Sequence, residues 1–301
     1  MGKFVKLNPT ELKALRNVDP RLVSYNVEMT EVTGGTKQAD ELETLEFRNV
    51  SFTYPSAKKA SLKNINLRID KGETVAVVGQ NGAGKTTFVK LLLRFYDPDE
   101  GVILYNGVDI REYDISSLRD RLATVFQDYK VFALSVGENV ICREVESGED
   151  RENIVLSLKR SGAYDCIERL PQKEETVLTR EFDEKGTGLS GGEQQKVAAA
   201  RMFARDFDLA ILDEPSSALD PIAEYKMYES LIAATQEKTV VYISHRLSSA
   251  VLSDKIYVFN SGTIAEEGTH DELMNADGIY AEMFTLQASS YKQSEGGVDA
   301  I

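Results

Sequence analysis

The stretch GQNGAGKTT at residues 79–87 follows a short apolar run, TVAVVG (74–79), and leads straight into KTTFVKLLLRFY (85–96). Gly79, Gly84, Lys85 and Thr86 fill the pattern G-x-x-x-x-G-K-[ST]. A short run rich in β-branched residues before such a loop reads as a strand buried on both faces. The run after it is apolar almost all round and reads as a buried helix. The physics of the loop is direct: glycines let successive backbone N–H groups curl around phosphate oxygens, and the helix N-terminus adds a partial positive charge. Lys85 is expected on the β- and γ-phosphates as a point charge, and the Thr86 hydroxyl on Mg²⁺. Asn81, Gly82 and Thr87 complete the expected nucleotide-binding loop. A strand–loop–helix of this kind commits the chain to an α/β core and to a nucleoside triphosphate.

LAILDEP (209–215) supplies a second half. An Asp-Glu pair alone is more often a solvated turn. Behind an apolar strand it puts the Asp213 carboxylate at the C-terminal edge of a sheet, where ligands of open α/β sheets bind. Asp213 is therefore expected to hold Mg²⁺, through water, and Glu214, pointing elsewhere, to act as general base on an attacking water. TVVYIS (239–244) is a further buried strand, whereas LEFRNVSFTYP and LKNINLRID alternate and read as half-buried strands. GEQQKVAAARMFARD (192–206) and DPIAEYKMYESLIAAT (220–235) read as helices, the second capped by Asp220 with Pro221 at its first position. Residues 134–176 carry no strand signal and read as a helical insert. IYVFNSGTIAEEG (256–268) reads as a hairpin turning at Ser261–Gly262.

Outside these elements, a short helix is expected near Thr10–Val18, a polar linker over 30–44 and a loose tail over 289–301. Lys and Arg number 35 against 49 Asp and Glu, a formal net charge of −14. That balance argues against general nucleic-acid binding, which relies on clustered basic residues. Cys142 and Cys166 lack metal-ligand spacing and read as reduced thiols. No apolar run approaches the ~18 residues needed to span a bilayer, and MGKFVKLNPT has no apolar signal-peptide region, so the chain by itself is expected to be soluble.

LSGGEQQK (189–196) places a glycine pair at a helix start, where glycine is costly unless something must approach the backbone closely. Taken with the two nucleotide motifs, it resembles the signature of the nucleotide-binding domain of ATP-binding cassette (ABC) transporters, over roughly residues 45–286. Tyr54 in FTYP, Gln127 in VFQD, SSALD (216–220) and His245 in ISHRLSS stand in the family's order. The resemblance implies an ATPase coupled to transport. Its fold would have a phosphate-loop core with a mostly parallel sheet, an N-terminal antiparallel β-subdomain and a helical subdomain near 128–188. Tyr54 would stack on adenine, the other reading being a core aromatic. Gln127 would contact Mg²⁺ and the attacking water, and His245 the γ-phosphate. Ser190, Gly191 and Gly192, with Asp220, would serve ATP across a head-to-tail pair of domains, identical or related. His270 has no such support and reads as a residue near a helix start.

TREFDEKG (179–186), SHRLSS and GTHDEL resemble the exporter branch, although Asp183 replaces a usual Gly and Lys196 a usual Arg. The implied partners are a second ATPase domain and transmembrane domains, fused or separate, at the cytoplasmic side of the membrane. A free-standing importer ATPase is the alternative, and a soluble non-transport ABC ATPase a weaker one.

Overall fold

The computed structural model describes residues 34–126, 129–180, 186–213, 221–235 and 238–295. The helix expected near Thr10–Val18 lies outside these residues. Two sheets organise the fold. Strands β1 (Thr44–Phe52), β2 (Leu62–Asp70), β4 (Glu100–Tyr105) and β5 (Val108–Asp109) form an antiparallel sheet of order β2-β1-β4-β5. The six-stranded sheet has order β10-β9-β3-β8-β7-β6, from β3 (Thr74–Gly79), β6 (Leu122–Val125), β7 (Leu209–Asp213), β8 (Thr239–Ser244), β9 (Lys255–Asn260) and β10 (Thr263–Gly268). All its neighbours are parallel except the β9–β10 hairpin.

The continuous apolar runs of the central strands now have a physical reason. Val75, Val77, Ile211, Val241, Ile243 and Phe259 face one core, which the antiparallel sheet and α1 (Lys85–Leu92) cover. Their alternates Ala76, Val78, Ala210, Leu212, Val240, Tyr242 and Val258 face a second core. That core is closed by α6 (Gly191–Phe203), α7 (Pro221–Ala234) and α9 (Ile279–Glu295). A strand with both faces buried needs no polar alternate.

Between β6 and α6, α3 (Val136–Ile141), α4 (Gly148–Arg160) and α5 (Tyr164–Glu168) pack around their own small core of Val136, Ile154, Leu158 and Ile167. Val197 and Ala200 of α6 complete it, so α6 belongs to both bodies. Two short helices, α2 (Ile115–Asp120) and α8 (His270–Asn275), complete the set among the described residues. Ser147, Ser190 and Thr269 each start a helix with a reciprocal capping box, closed by Asp150, Glu193 and Glu272.

Three expectations need correcting. The helix after the phosphate loop ends at Leu92, not near residue 96, because Arg94 turns left-handed (φ 51°). Its buried guanidinium donates to the carbonyl of Ile110. Residues 34–43 are not a free linker. Gly35 and Lys37 N–H donate to the carbonyls of Tyr113 and Glu112, and Ala39 and Leu42 are buried. Polar composition hid a segment docked by its backbone N–H groups together with two apolar side chains, Ala39 and Leu42, that enter the first core. Residues 289–295, expected in a loose tail, continue α9 to Glu295.

Candidate nucleotide site

Register decides where the site lies. Val78 of β3 pairs with Ser244 of β8, and Ile243 of β8 pairs with Asp213 of β7. Leu212 in turn pairs with Val125 of β6. Four adjacent parallel strands therefore end together, and each carries one of the sequence-marked segments. The phosphate loop follows β3, His245 follows β8, Asp213 closes β7 and Phe126 follows β6. Gln127, Glu214 and Asp220 lie outside the described residues.

The loop itself is set by backbone conformation. Gly79, Gly82 and Gly84 have φ of 149°, 80° and 110°, a region that favours glycine. At Gly79 a Cβ would also sit 2.2 Å from the carbonyl oxygen of Phe259, and at Gly84 2.6 Å from Leu62 Cδ2. A cleft of about 770 Å³ opens here, lined by residues 81–87, by Lys59, Ser61 and Lys63, and by the Ser261–Gly262 turn. That turn buttresses the loop: Gly262 N–H donates to the Ala83 carbonyl at 3.0 Å, and its own carbonyl accepts from Lys63 N–H at 2.7 Å. Gly262 was legible only as a hairpin residue, since its contact with the loop spans some 180 positions.

Lys85 is buried, and its ammonium donates to the carbonyl of Gly79 at 2.8 Å. Thr86 is exposed in the cleft and Thr87 is buried. Tyr54 is half-buried and packs against the first core. Its edges pack on Phe52 and Tyr96, Lys90 lies 5.4 Å from its ring centroid, and its hydroxyl is 3.3 Å from Thr87 Oγ1. Asp213 is 6% exposed at the strand end. No cluster of three or more His, Cys, Asp or Glu side chains suited to a metal occurs among the described residues. One hydroxyl and one carboxylate suit Mg²⁺, a hard cation that keeps several waters and binds substrate phosphates.

The signature segment forms the start of α6. Ser190 is its exposed N-cap; its hydroxyl and N–H donate to the Glu193 carboxylate at 2.7 and 2.9 Å. These bonds hold the Glu193 carboxyl below the usual range. Ser190 and Glu193 make an S-x-x-E capping box that the sequence carried openly. Nothing among the described residues comes within 4 Å of a Cβ at Gly191 or Gly192, and neither has a positive φ. Packing among these residues gives no reason for the glycine pair.

Other buried polar links carry no motif. Asn139 is fully buried, and its carboxamide donates to the carbonyls of Phe132 and Ser135. It accepts from Phe132 N–H at 2.8 Å and from Arg201 Nη2 of α6 at 3.0 Å. The segment after Gln127 is thereby tied to the signature helix. His270, the first residue of α8, places Nδ1 2.8 Å from the Tyr280 hydroxyl in the core, away from the strand ends. Cys142 and Cys166 are free thiols.

Residues 62–217 match the ABC transporter family. The lipid A-core flippase of Salmonella typhimurium, described as ATP-dependent, is 42% identical over 243 residues, 81% of this chain and 41% of the relative. The protein of the same description from Escherichia coli K12 is 41% identical over the same shares. A bacterial Atm1-family ABC exporter solved with ATP bound superposes with a TM-score of 0.77 at 34% identity, over 93% of this chain and 47% of that one. The chain thus spans less than half the length of the relatives it matches. With a phosphate loop, a capped signature helix and a shared strand-end edge in the family's order, the chain belongs to the ABC transporter family.

Proposed function

We propose that this chain is the ATP-hydrolysing motor domain of a membrane exporter, working at the cytoplasmic face as one of a head-to-tail pair. The observation that carries the reading is the common C-terminal edge of β3, β8, β7 and β6, which gathers residues 79–87, 245 and 213. The exporter rather than importer assignment rests on the relatives, which are exporters and flippases. Cargo and partner are properties of the longer proteins. No helix among the described residues is long and apolar enough to cross a membrane.

In this reading Tyr54 stacks on the adenine. Asn81, Gly82, Gly84 and the start of α1 hold the β- and γ-phosphates by backbone N–H groups, and the Lys85 ammonium moves from its carbonyl partners onto the same oxygens. Thr86, Asp213 and Gln127 would hold Mg²⁺, which when bound neutralises charge on the phosphates. Glu214, next in the chain to Asp213, orients a water for in-line attack on the γ-phosphorus and takes its proton. The bond to the bridging oxygen breaks, ADP leaves, and charge on the transferring oxygens is met by Lys85, His245 and N–H groups. The open face at Gly191 and Gly192 suits an outside approach, so Ser190 and the pair would meet the γ-phosphate held by the second domain. Asp220 would lie at the same interface.

The test is Glu214→Gln. ATP binding is expected to persist, turnover to fall by about 100-fold or more, and ATP to trap a dimer in sedimentation. Turnover at the wild-type rate refutes the base, and a chain that stays monomeric with ATP refutes the paired site.

A further inference from the structure

His245 occupies a loop, Ser244–Ser249, that largely fastens itself. The Ser244 hydroxyl accepts from Arg246 N–H and donates to the Arg246 carbonyl, and Ser249 Oγ donates to that same carbonyl. Leu247 is buried in the second core, and the hydroxyl of the buried Tyr242 donates to the Ser249 carbonyl at 2.7 Å. A long-range tie to its backbone comes from the C-terminal helix. Gln287, near the middle of α9, donates from Nε2 to the His245 carbonyl at 2.7 Å and accepts at Oε1 from Leu247 N–H at 2.9 Å. One carboxamide therefore grips the main chain on both sides of Arg246. The pairing fixes the amide's orientation, since a flip would set oxygen against carbonyl and N–H against N–H.

Gln287 can do this because α9 is pinned at its start. The Glu266 carboxylate of β10 accepts from Ile279 and Tyr280 N–H at 2.6 and 3.0 Å, satisfying two first-turn donors. The Tyr280 side chain is fully buried. From that fixed origin, Gln287 lies two helical turns along, facing the end of β8.

We propose that Gln287 is a positioning residue for His245: its clamp sets the main-chain torsions of residues 245–247, and with them the direction of the imidazole at the strand end. The C-terminal helix is then part of the hydrolytic machinery. The proposal rests on His245 as the γ-phosphate contact.

The test measures kcat and KM for Mg·ATP on the full 301-residue chain carrying Gln287→Leu, His245→Ala or both, with Tm as a fold control. Gln287→Leu is expected to lower kcat about 10-fold or more, leave KM within about twofold, and leave Tm within a few degrees. In the His245→Ala background the same substitution is expected to cost less than about twofold, because its target is gone. Losses that multiply, or a Gln287→Leu chain with wild-type kcat, overturn the proposal. Wild-type kcat in His245→Ala alone instead refutes the role of His245. Should Gln287→Leu fold poorly, Gln287→Glu keeps the length and the bond from Leu247 N–H but cannot donate to the His245 carbonyl. It must show the same kcat loss, and a folded Gln287→Glu chain with wild-type kcat is equally decisive against the clamp.

Discussion

Replacing Asn139 by alanine removes a side chain that no water reaches and that bonds five polar groups, among them the Leu134 carbonyl, which still accepts from Leu178 N–H. The loss is uneven. The Phe132 carbonyl still accepts from Leu134 N–H, the Ser135 carbonyl from residue 139's own N–H, and Arg201 Nε still donates to the residue 139 carbonyl. Phe132 N–H is left without an acceptor among the described residues, and one arm of the Arg201 guanidinium loses its partner. A net hydrogen bond contributes about 1 kcal/mol, and one to a charged group about 1.5–3. The sum is about 3 kcal/mol, which at about 2–4 °C per kcal/mol for a domain of this size lowers Tm by about 6–12 °C. Calorimetry on the purified chain reads this directly, and amide exchange at Phe132 should lose its protection. Asn139→Asp should be at least as destabilised at neutral pH, because a carboxylate would face the carbonyls to which the amide donates. A Tm within about 2 °C of wild type for Asn139→Ala would refute the reasoning.

Glycine positions in the phosphate loop divide by what surrounds them. Gly79→Ala drives a Cβ to 2.2 Å from the Phe259 carbonyl oxygen, where only backbone can yield, and should destabilise the chain by about 2–4 kcal/mol. Gly82→Ala has open space among the described residues and should cost about 1 kcal/mol, from its φ of 80° alone; paired melting curves check the order, and equal Tm values contradict it. The capping carboxylates Glu193, Glu272 and Asp150 are all held below their usual range, first by hydrogen bonds to Ser190, Thr269 and Arg143 respectively. A depressed folded pKa contributes stability above the unfolded value, lost as pH falls through the folded one. Tm should therefore begin to drop as pH falls below about 4, the unfolded carboxylate range, with Glu193→Gln flattening part of that slope; parallel slopes for both chains remove Glu193 from the account.

The strands, the phosphate loop and the hairpin were legible because their signals are local. An unbroken apolar run, a glycine spacing and a capping serine each act within a few residues, where propensity and hydrogen bonding have no competitor. Residues 34–43 were misread for the complementary reason. Their attachment combines backbone N–H donation to the carbonyls of Glu112 and Tyr113 with the burial of Ala39 and Leu42, and composition carries no record of a main-chain partner. Likewise nothing in ASSYKQS distinguishes a frayed tail from the continuation of a helix whose earlier turns are buried. Nothing local in the sequence marked the contacts of Asn139, Gly262 and Gln287, since each serves a partner brought near by folding.

By itself the sequence determined the chemistry: a phosphate-binding loop, a carboxylate at a strand end and a glycine-opened helix, because each depends on residue type at fixed short spacing. Only the tertiary structure decided that four parallel strands end in register, so that these pieces share one edge. It alone showed a hairpin turn bracing the loop and a C-terminal helix holding the backbone of His245. Those are contacts between segments tens to hundreds of residues apart, selected by the burial of two cores rather than by any local preference of the chain.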